Sequence, residues 1–179
     1  MSNLPAQFPT VAQVSETTNS IQQLKFQLYP DTRAMLPIQQ IVEVLKLQLV
    51  KIMPIPQMPS WVMGIYNWRG DILWMIDLGQ LIGLNSWYEY HHDRADSVAI
   101  VLSPNRQAHQ EQRIHLGLVV AQVDDLANCD PAAIQAVVDS QSNPRLTSFL
   151  QGYWLQSEGE MILALDGQAI AAAMPISEL

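Results

Sequence analysis

The stretch from residue 58 to residue 84 constrains the fold of this 179-residue chain more than any other part of its sequence. Residues 62–68 and 72–78 are runs of apolar, aromatic and β-branched side chains, which are typical of β-strands. The polar sequence Arg69-Gly70-Asp71 separates the two runs, and glycine can take the positive φ that a tight turn requires. The sequence therefore predicts a β-hairpin here.

Two further signals lie inside this stretch. Gly64 interrupts the first run, which indicates a β-bulge or a close approach of another backbone segment. Asp77 precedes the sequence LGQLIGL, in which apolar residues recur at helical spacing and Gly83 can end a helical turn. A short helix capped by Asp77 is expected after the second strand.

Arg69 stands out because it is the only charged residue between Lys51 and Asp71. Its guanidinium is planar and carries five N–H donors, so at the end of an apolar hairpin it can bind a carboxylate or several carbonyl groups of a partner. The alternative is that Arg69 only solubilises the hairpin end or pairs locally with Asp71, since surface ion pairs are common and weak.

The same stretch resembles the signature of the CheW-like domain, the adaptor module of bacterial chemosensory arrays. The matching positions are Pro59, Trp61, Gly64, Asn67, Arg69, Gly70, Ile76, Asp77 and Leu78. Two positions depart from the pattern, because Trp68 stands where the family more often has Leu and Trp74 where it commonly has Pro. The resemblance extends over about residues 22–173.

The remaining chain reads as short strands separated by frequent turns. Leu24, Phe26 and Leu28 alternate with more polar residues, which is the period of a half-buried strand. Many short strands with little helix favour an all-β domain of closed or partly closed barrels. Strands are predicted from near residue 21 to 29, from 34, and at 42–48, 97–104, 114–120, 123–127, 149–156 and 160–166, with helical turns at 38–41 and 131–138, a loop at 140–145 and a short helix at 167–173.

The resemblance implies a more specific architecture. The expected fold class is all-β, with two small five-stranded SH3-like barrels packed together and short helices that include one at the C-terminus. Residues 1–20 are expected to be a flexible tail, and residues 21–179 a single CheW-like domain whose barrels exchange strands. The polar and aromatic segment 85–96 is expected to connect the two barrel subdomains.

Tryptophans are expected to supply the seam between the barrels or an external patch. Trp74 and Trp154 are predicted in the core, whereas Trp61 and Trp68 flank the Arg69 turn and are predicted to be partly exposed.

Composition excludes several classes of function. Nine basic residues are spread among seventeen acidic ones, for a net charge of −8, so nucleic acid is not an expected partner. No apolar run reaches the length of a membrane-spanning helix, and no secretory signal is seen, so neither membrane insertion nor export is expected. A cytoplasmic location follows from these expectations.

Catalytic and metal sites are not predicted. Cys129 is the single cysteine, and its acidic neighbour Asp130 raises its pKa, which favours a structural role. The pair His91-His92 is interpreted as two solvated loop histidines, because adjacent side chains point in different directions. No nucleophile elbow, phosphate-binding loop or zinc-protease motif is present, so neither an enzyme nor a cofactor is expected.

The resemblance implies a non-catalytic scaffold that couples methyl-accepting chemoreceptors to a CheA-like histidine kinase. A pilus-motility or phototaxis pathway is compatible with the two departures from the family pattern. Its partners would be the receptor signalling tip and the regulatory domain of the kinase, and it would associate with membrane-bound receptor arrays only through them. The alternative is a small-ligand-binding β-barrel sensor. Partner-binding candidates carried over by position are Ile41, Glu43, Val44, Gly64, Asn67, Trp68 and Arg69.

Overall fold

A computed structural model describes residues 19–89, 96–103, 115–136, 143–157 and 159–175 of the chain. The described part is mainly β-structure, in agreement with the predicted all-β class. Its strands are β1 (Ile21–Leu28), β2 (Thr32–Pro37), β3 (Ile41–Gln48), β4 (Val62–Trp68), β5 (Asp71–Asp77), β6 (Asp96–Leu102), β7 (Leu116–Val120), β8 (Gln122–Cys129), β9 (Ile134–Gln135), β10 (Leu150–Leu155) and β11 (Met161–Leu165). Its α-helices are α1 (Leu78–Leu81), α2 (Pro144–Thr147) and α3 (Gly167–Ala172).

The predicted central hairpin is confirmed as β4 and β5, which pair antiparallel. The register shifts between Val62 and Gly64, so the predicted bulge is present, and Gly64 has a φ of +139°. Asp77 caps α1 as expected, since its side chain accepts a hydrogen bond from the backbone N–H of Gln80. The local chemistry of this stretch thus determined its structure.

The strands form two sheets whose members are not contiguous in sequence. The five-stranded sheet has the order β3-β6-β7-β5-β4, and the six-stranded sheet has the order β8-β1-β2-β11-β10-β9. The first two described strands therefore join the last four, through an antiparallel pairing of β1 with β8 and a parallel pairing of β2 with β11. A second parallel contact joins β5 to β7.

The predicted connection at 85–96 does not lie between the two sheets. It joins α1 to β6, and both β5 and β6 belong to the five-stranded sheet. The chain instead passes between the sheets at residues 37–41 and at Ala121. The described part of the segment is tied to the hairpin, because the buried carboxylate of Asp77 accepts hydrogen bonds from Ser86 and Trp87.

The two ends of the five-stranded sheet come together. Strands β3 and β4 lie at opposite ends of the strand order, yet Met53, shortly after β3, forms a bridge with Ile65 of β4. Backbone hydrogen bonds of 2.8 and 2.9 Å join these residues. The sheet therefore curls toward a barrel, which protects strand edges from pairing with other chains.

Three clusters of buried side chains follow from this arrangement. The largest contains residues of both sheets, such as Phe26, Leu36, Ile76 and Ile100, and forms the seam between them. A second cluster fills the five-stranded sheet, and a small third one, with Met35 and Ile162, fills the six-stranded sheet.

The tryptophans are distributed differently from the prediction. Trp61 and Trp68 are buried, each with 9% of its surface exposed, whereas Trp74 and Trp154 are half-buried and pack against the edges of core clusters. The reason is strand alternation, because Trp68 points into the five-stranded sheet beside Met63 and Leu73. Large aromatic residues near a turn were expected at the surface, but Trp68 packs into the buried cluster of the five-stranded sheet.

Some element predictions changed or could not be compared. The helical turn expected at 131–138 covers only Pro131–Ala133 and is followed by β9, and the loop expected at 140–145 contains the start of α2. Residues 1–18 of the expected tail and the pair His91-His92 lie outside the described residues. Among the described helices, none has the length and apolar character needed to cross a membrane.

Candidate partner-binding site

The candidate site lies where the two ends of the five-stranded sheet meet. Glu43 projects from β3, Trp68 is the last residue of β4, and Arg69 follows in the turn. Arg69 has a φ of +57°, a left-handed conformation that is uncommon for a residue with a side chain. The turn thus holds Arg69 in a defined backbone position toward β3.

A single carboxylate joins these residues. Trp68 donates its indole N–H to Oε1 of Glu43, and Nη2 of Arg69 donates to Oε2 of the same carboxylate at 2.5 Å. The Arg69 guanidinium carbon also lies 5.5 Å from the centroid of the Trp68 ring, within the range of a cation–π contact. We refer to Glu43, Trp68 and Arg69 as the rim cluster.

Exposure within the rim cluster is graded. The side chain of Arg69 is 69% exposed and that of Glu43 is 23% exposed, while Trp68 beneath them is buried. An ion pair with so exposed an arginine contributes at most about 1 kcal/mol to stability. The rim cluster therefore orients a charged group more than it stabilises the fold.

The side chain of Asn67 fixes the conformation of the turn next to the rim cluster. Oδ1 of Asn67 accepts a hydrogen bond from the backbone N–H of Gly70 at 3.1 Å. Gly70 has a φ of +92°, which accounts for glycine at this position. Asn67 stands opposite Ile72 in the hairpin register, and both are exposed. A small polar and apolar surface thus extends from the rim cluster along the outer hairpin face.

The predicted site residues divide by burial. Asn67 and Arg69 are exposed, Val44 is 43% exposed, and Glu43 is half-buried. Ile41 packs in the seam with 5% of its surface exposed, and Gly64 lies with its backbone against Met53. Ile41, Gly64 and Trp68 therefore support the surface from below, while the other four form it.

Sequence reasoning missed the partner of Arg69. The alternative that Arg69 pairs with Asp71 is wrong, because its carboxylate partner is Glu43, which is 26 positions away in sequence. One signal was available: Glu43 is the only acidic residue between Asp31 and Asp71. The ring of His115, 5.1 Å from that of Trp68, is a further neighbour that no pattern indicated.

Cys129 lies away from the rim cluster and is buried in the small third cluster. Burial raises the pKa of its thiol, and the negative charge of Asp130 raises it further. We expect the native thiol to react with a disulfide reagent at pH 8 on the order of 100-fold more slowly than in the urea-unfolded chain. Equal rates in the two states, followed by absorbance, would contradict the structural role of Cys129.

A comparison of the sequence with protein-family models matches residues 22–174 to the CheW-like domain. The chain belongs to the CheW-like domain family. No relative among curated protein sequences matches it. Among solved structures, the scaffolding protein TtCheW from Thermoanaerobacter tengcongensis is similar, with a TM-score of 0.63 and 24% sequence identity, over 82% of this chain and 89% of that one.

The structural likeness confirms the predicted fold class of two packed SH3-like barrels. In this CheW-like chain the five-stranded sheet is one barrel, and the other sheet includes the two-residue strand β9 as a sixth member. The rim cluster therefore lies at the closing edge of the first barrel.

Proposed function

We propose that this CheW-like chain is a non-catalytic adaptor that couples the signalling tip of a chemoreceptor to the regulatory domain of a CheA-like histidine kinase. Family membership supports the adaptor role. The observation that carries the proposal is the rim cluster, in which an exposed arginine is held by a carboxylate and an aromatic ring.

The rim cluster has the physical properties of an interface anchor. Arginine and aromatic residues are enriched among the side chains that dominate binding energy. Arg69 is already oriented by Glu43 and Trp68, so little side-chain entropy remains to be lost on binding. Val44, the next residue of β3, is 43% exposed and adds apolar surface on the other face of the strand. We assign Glu43, Val44, Asn67 and Arg69 to direct contact.

The adaptor would lie in the cytoplasm and reach membrane-bound receptor arrays through its partners alone. Trp68 and Trp74 depart from the usual residues of the family, and this change accords with a dedicated pathway such as pilus-based motility or phototaxis. Trp74 is half-buried and packs against the seam cluster, beside Leu116 of β7 in the sheet register. Partner choice would then depend on these two residues through the packing beneath the binding surface, since Trp68 is buried in the five-stranded sheet.

The test is a charge reversal at the rim cluster. We expect Arg69→Glu to weaken binding of the receptor tip or the kinase regulatory domain by about 30-fold, because it removes a charged anchor and places two carboxylates together. Binding is measured by isothermal titration with domains from the same genome. Lys51→Glu is the matched control, since it makes the same charge change at an exposed lysine of the first barrel.

A double variant distinguishes direct contact of Arg69 with the partner from a role of Arg69 in supporting the fold. Glu43→Arg combined with Arg69→Glu can re-form the ion pair with its charges exchanged. If Arg69 contacts the partner, the double variant stays folded but binds as weakly as Arg69→Glu alone. Full recovery of binding in the double variant would show that the pair only supports the fold, and it would overturn the assignment of Arg69 as a contact.

A further inference from the structure

The ring of Trp68 is anchored in the first barrel. Trp68 is the last residue of β4, and only 9% of its surface is exposed. It packs in the same buried cluster as Met63 and Leu73, and the ring of His115 lies 5.1 Å from it at a tilt of 54°. The surrounding side chains therefore hold the indole in one orientation.

The polar edge of this ring leaves the cluster and reaches Glu43. Its N–H donates to Oε1 of Glu43, which is 25 positions away in sequence. Tryptophan is the residue type that combines a large apolar ring with a side-chain N–H that can only donate. The Glu43 side chain is 23% exposed, so water competes less for this bond than at an open surface. A buried ring thus fixes one oxygen of a carboxylate at the barrel surface.

The other oxygen of the same carboxylate orients Arg69. Nη2 of Arg69 donates to Oε2 of Glu43 at 2.5 Å, and the guanidinium carbon lies 5.5 Å from the centroid of the Trp68 ring. The Arg69 side chain is 69% exposed, and an exposed ion pair has to order two long side chains at the expense of their rotamer entropy. Because Trp68 already holds the glutamate, only the arginine remains to be ordered.

The rim cluster offers a partner a direction more than a net charge. One carboxylate faces one guanidinium, so the charges of Glu43 and Arg69 cancel. Arg69 has five N–H donors in a rigid planar fork, and its bond to Glu43 uses the Nη2 end. The remaining donors bind acceptor groups only along the directions that the fork allows. The position of the fork therefore decides which partner groups fit.

We propose that Trp68 is the positioning residue of the rim cluster. Its buried indole sets the carboxylate of Glu43, and Glu43 in turn sets the direction in which Arg69 meets a partner. The inference rests on the proposed adaptor function only for its effect on binding, since the order of the Arg69 side chain is a property of the chain alone.

The first test measures Arg69 without any partner. Trp68→Phe keeps an aromatic ring in the core and removes the N–H donor. We expect the order parameter of the Arg69 Nε–H group, from nitrogen NMR relaxation, to fall from about 0.8 to below about 0.6. Trp61→Phe is the matched control, because Trp61 is also 9% exposed but lies in the seam cluster. An unchanged order parameter in Trp68→Phe would overturn the proposal.

A second variant leaves the core intact. Glu43→Ala removes the acceptor of the indole N–H, so we expect the exchange of the Trp68 indole proton with water to become about tenfold faster or more. In the Glu43→Ala chain, Trp68→Phe should cause no further fall in the order parameter of Arg69. An unchanged exchange rate, or a further fall of equal size, would show that Trp68 does not act through Glu43 and would contradict the proposal.

Binding of the receptor tip tests the consequence for recognition. We expect Trp68→Phe to weaken binding about fivefold, because a mobile arginine must then be ordered on binding. Trp61→Phe should bind like the unmodified chain. Equal binding by Trp68→Phe and the unmodified chain would overturn the role of Trp68 in recognition. If the unmodified chain itself bound neither partner, the adaptor function would fail, and the order parameters of Arg69 would still decide whether Trp68 positions it.

Discussion

Replacement of Asp77 by alanine is expected to lower the free energy of unfolding by about 3–4 kcal/mol, close to the upper end for single substitutions. Asp77 is buried, with only 1% of its surface exposed. Its Oδ1 accepts the backbone N–H of Gln80, and Oδ2 accepts both the hydroxyl of Ser86 and the backbone N–H of Trp87, each at 2.7 Å. Alanine leaves these donors without an acceptor away from water.

A series of variants distinguishes hydrogen bonding from packing at this position. In Asp77→Asn the amide must point its NH₂ group at a backbone N–H, so we expect a loss of about 2 kcal/mol despite an equal volume. Ser86→Ala removes one donor and leaves two, and we expect about 1 kcal/mol. Urea unfolding, followed by tryptophan fluorescence, measures the free energy of unfolding of all three variants. If Asp77→Asn were as stable as the original chain, the three bonds could not be holding segment 85–89 on the hairpin.

Gly64→Ala is expected to destabilise the chain by about 3 kcal/mol or more, because it combines backbone strain with a steric clash. Gly64 has a φ of +139°, and a Cβ there would lie 2.2 Å from the carbonyl oxygen of Met53. The Cα of Pro54, at 2.9 Å, closes the same space. Since all of these atoms belong to backbone, no side chain can move away to make room.

The matched control for Gly64 is Gly70→Ala in the neighbouring turn. Gly70 has a φ of +92°, but a Cβ there would meet no atom within 4 Å. Only the conformational penalty of a positive φ remains, so we expect the free energy of unfolding to fall by about 1 kcal/mol. Thermal unfolding by circular dichroism compares the two variants. Equal losses for both would mean that the contact of Gly64 with the segment after β3 does not hold the first barrel closed.

Much of the fold could be predicted because local chemistry decides it. The turn at Gly70, the bulge at Gly64 and the cap at Asp77 each depend on a residue type with a specific backbone or hydrogen-bonding property. The alternation in β1 likewise showed which side chains are buried. The family resemblance, carried by the same hairpin, then indicated the two-barrel fold.

Long-range contacts could not be predicted in the same way. The pairing of β2 with β11 joins residues more than 120 positions apart. The ion pair of Glu43 with Arg69 forms only because the five-stranded sheet curls until its two ends meet. Tertiary packing also reversed the expected exposure of Trp68, since its side chain lies in the buried cluster of the five-stranded sheet. Such effects arise from tertiary packing, which overrides the local pattern.

The most direct test of the adaptor proposal is reconstitution of the bridge between its two partners. Chemoreceptor signalling tips are fixed on beads, and the purified regulatory domain of a CheA-like histidine kinase from the same genome is added with or without this chain. We predict that the beads retain the regulatory domain only when the chain is present, and that Arg69→Glu reduces the retained amount strongly. Retention that is the same without the chain, or absent with it, would contradict the proposed coupling role.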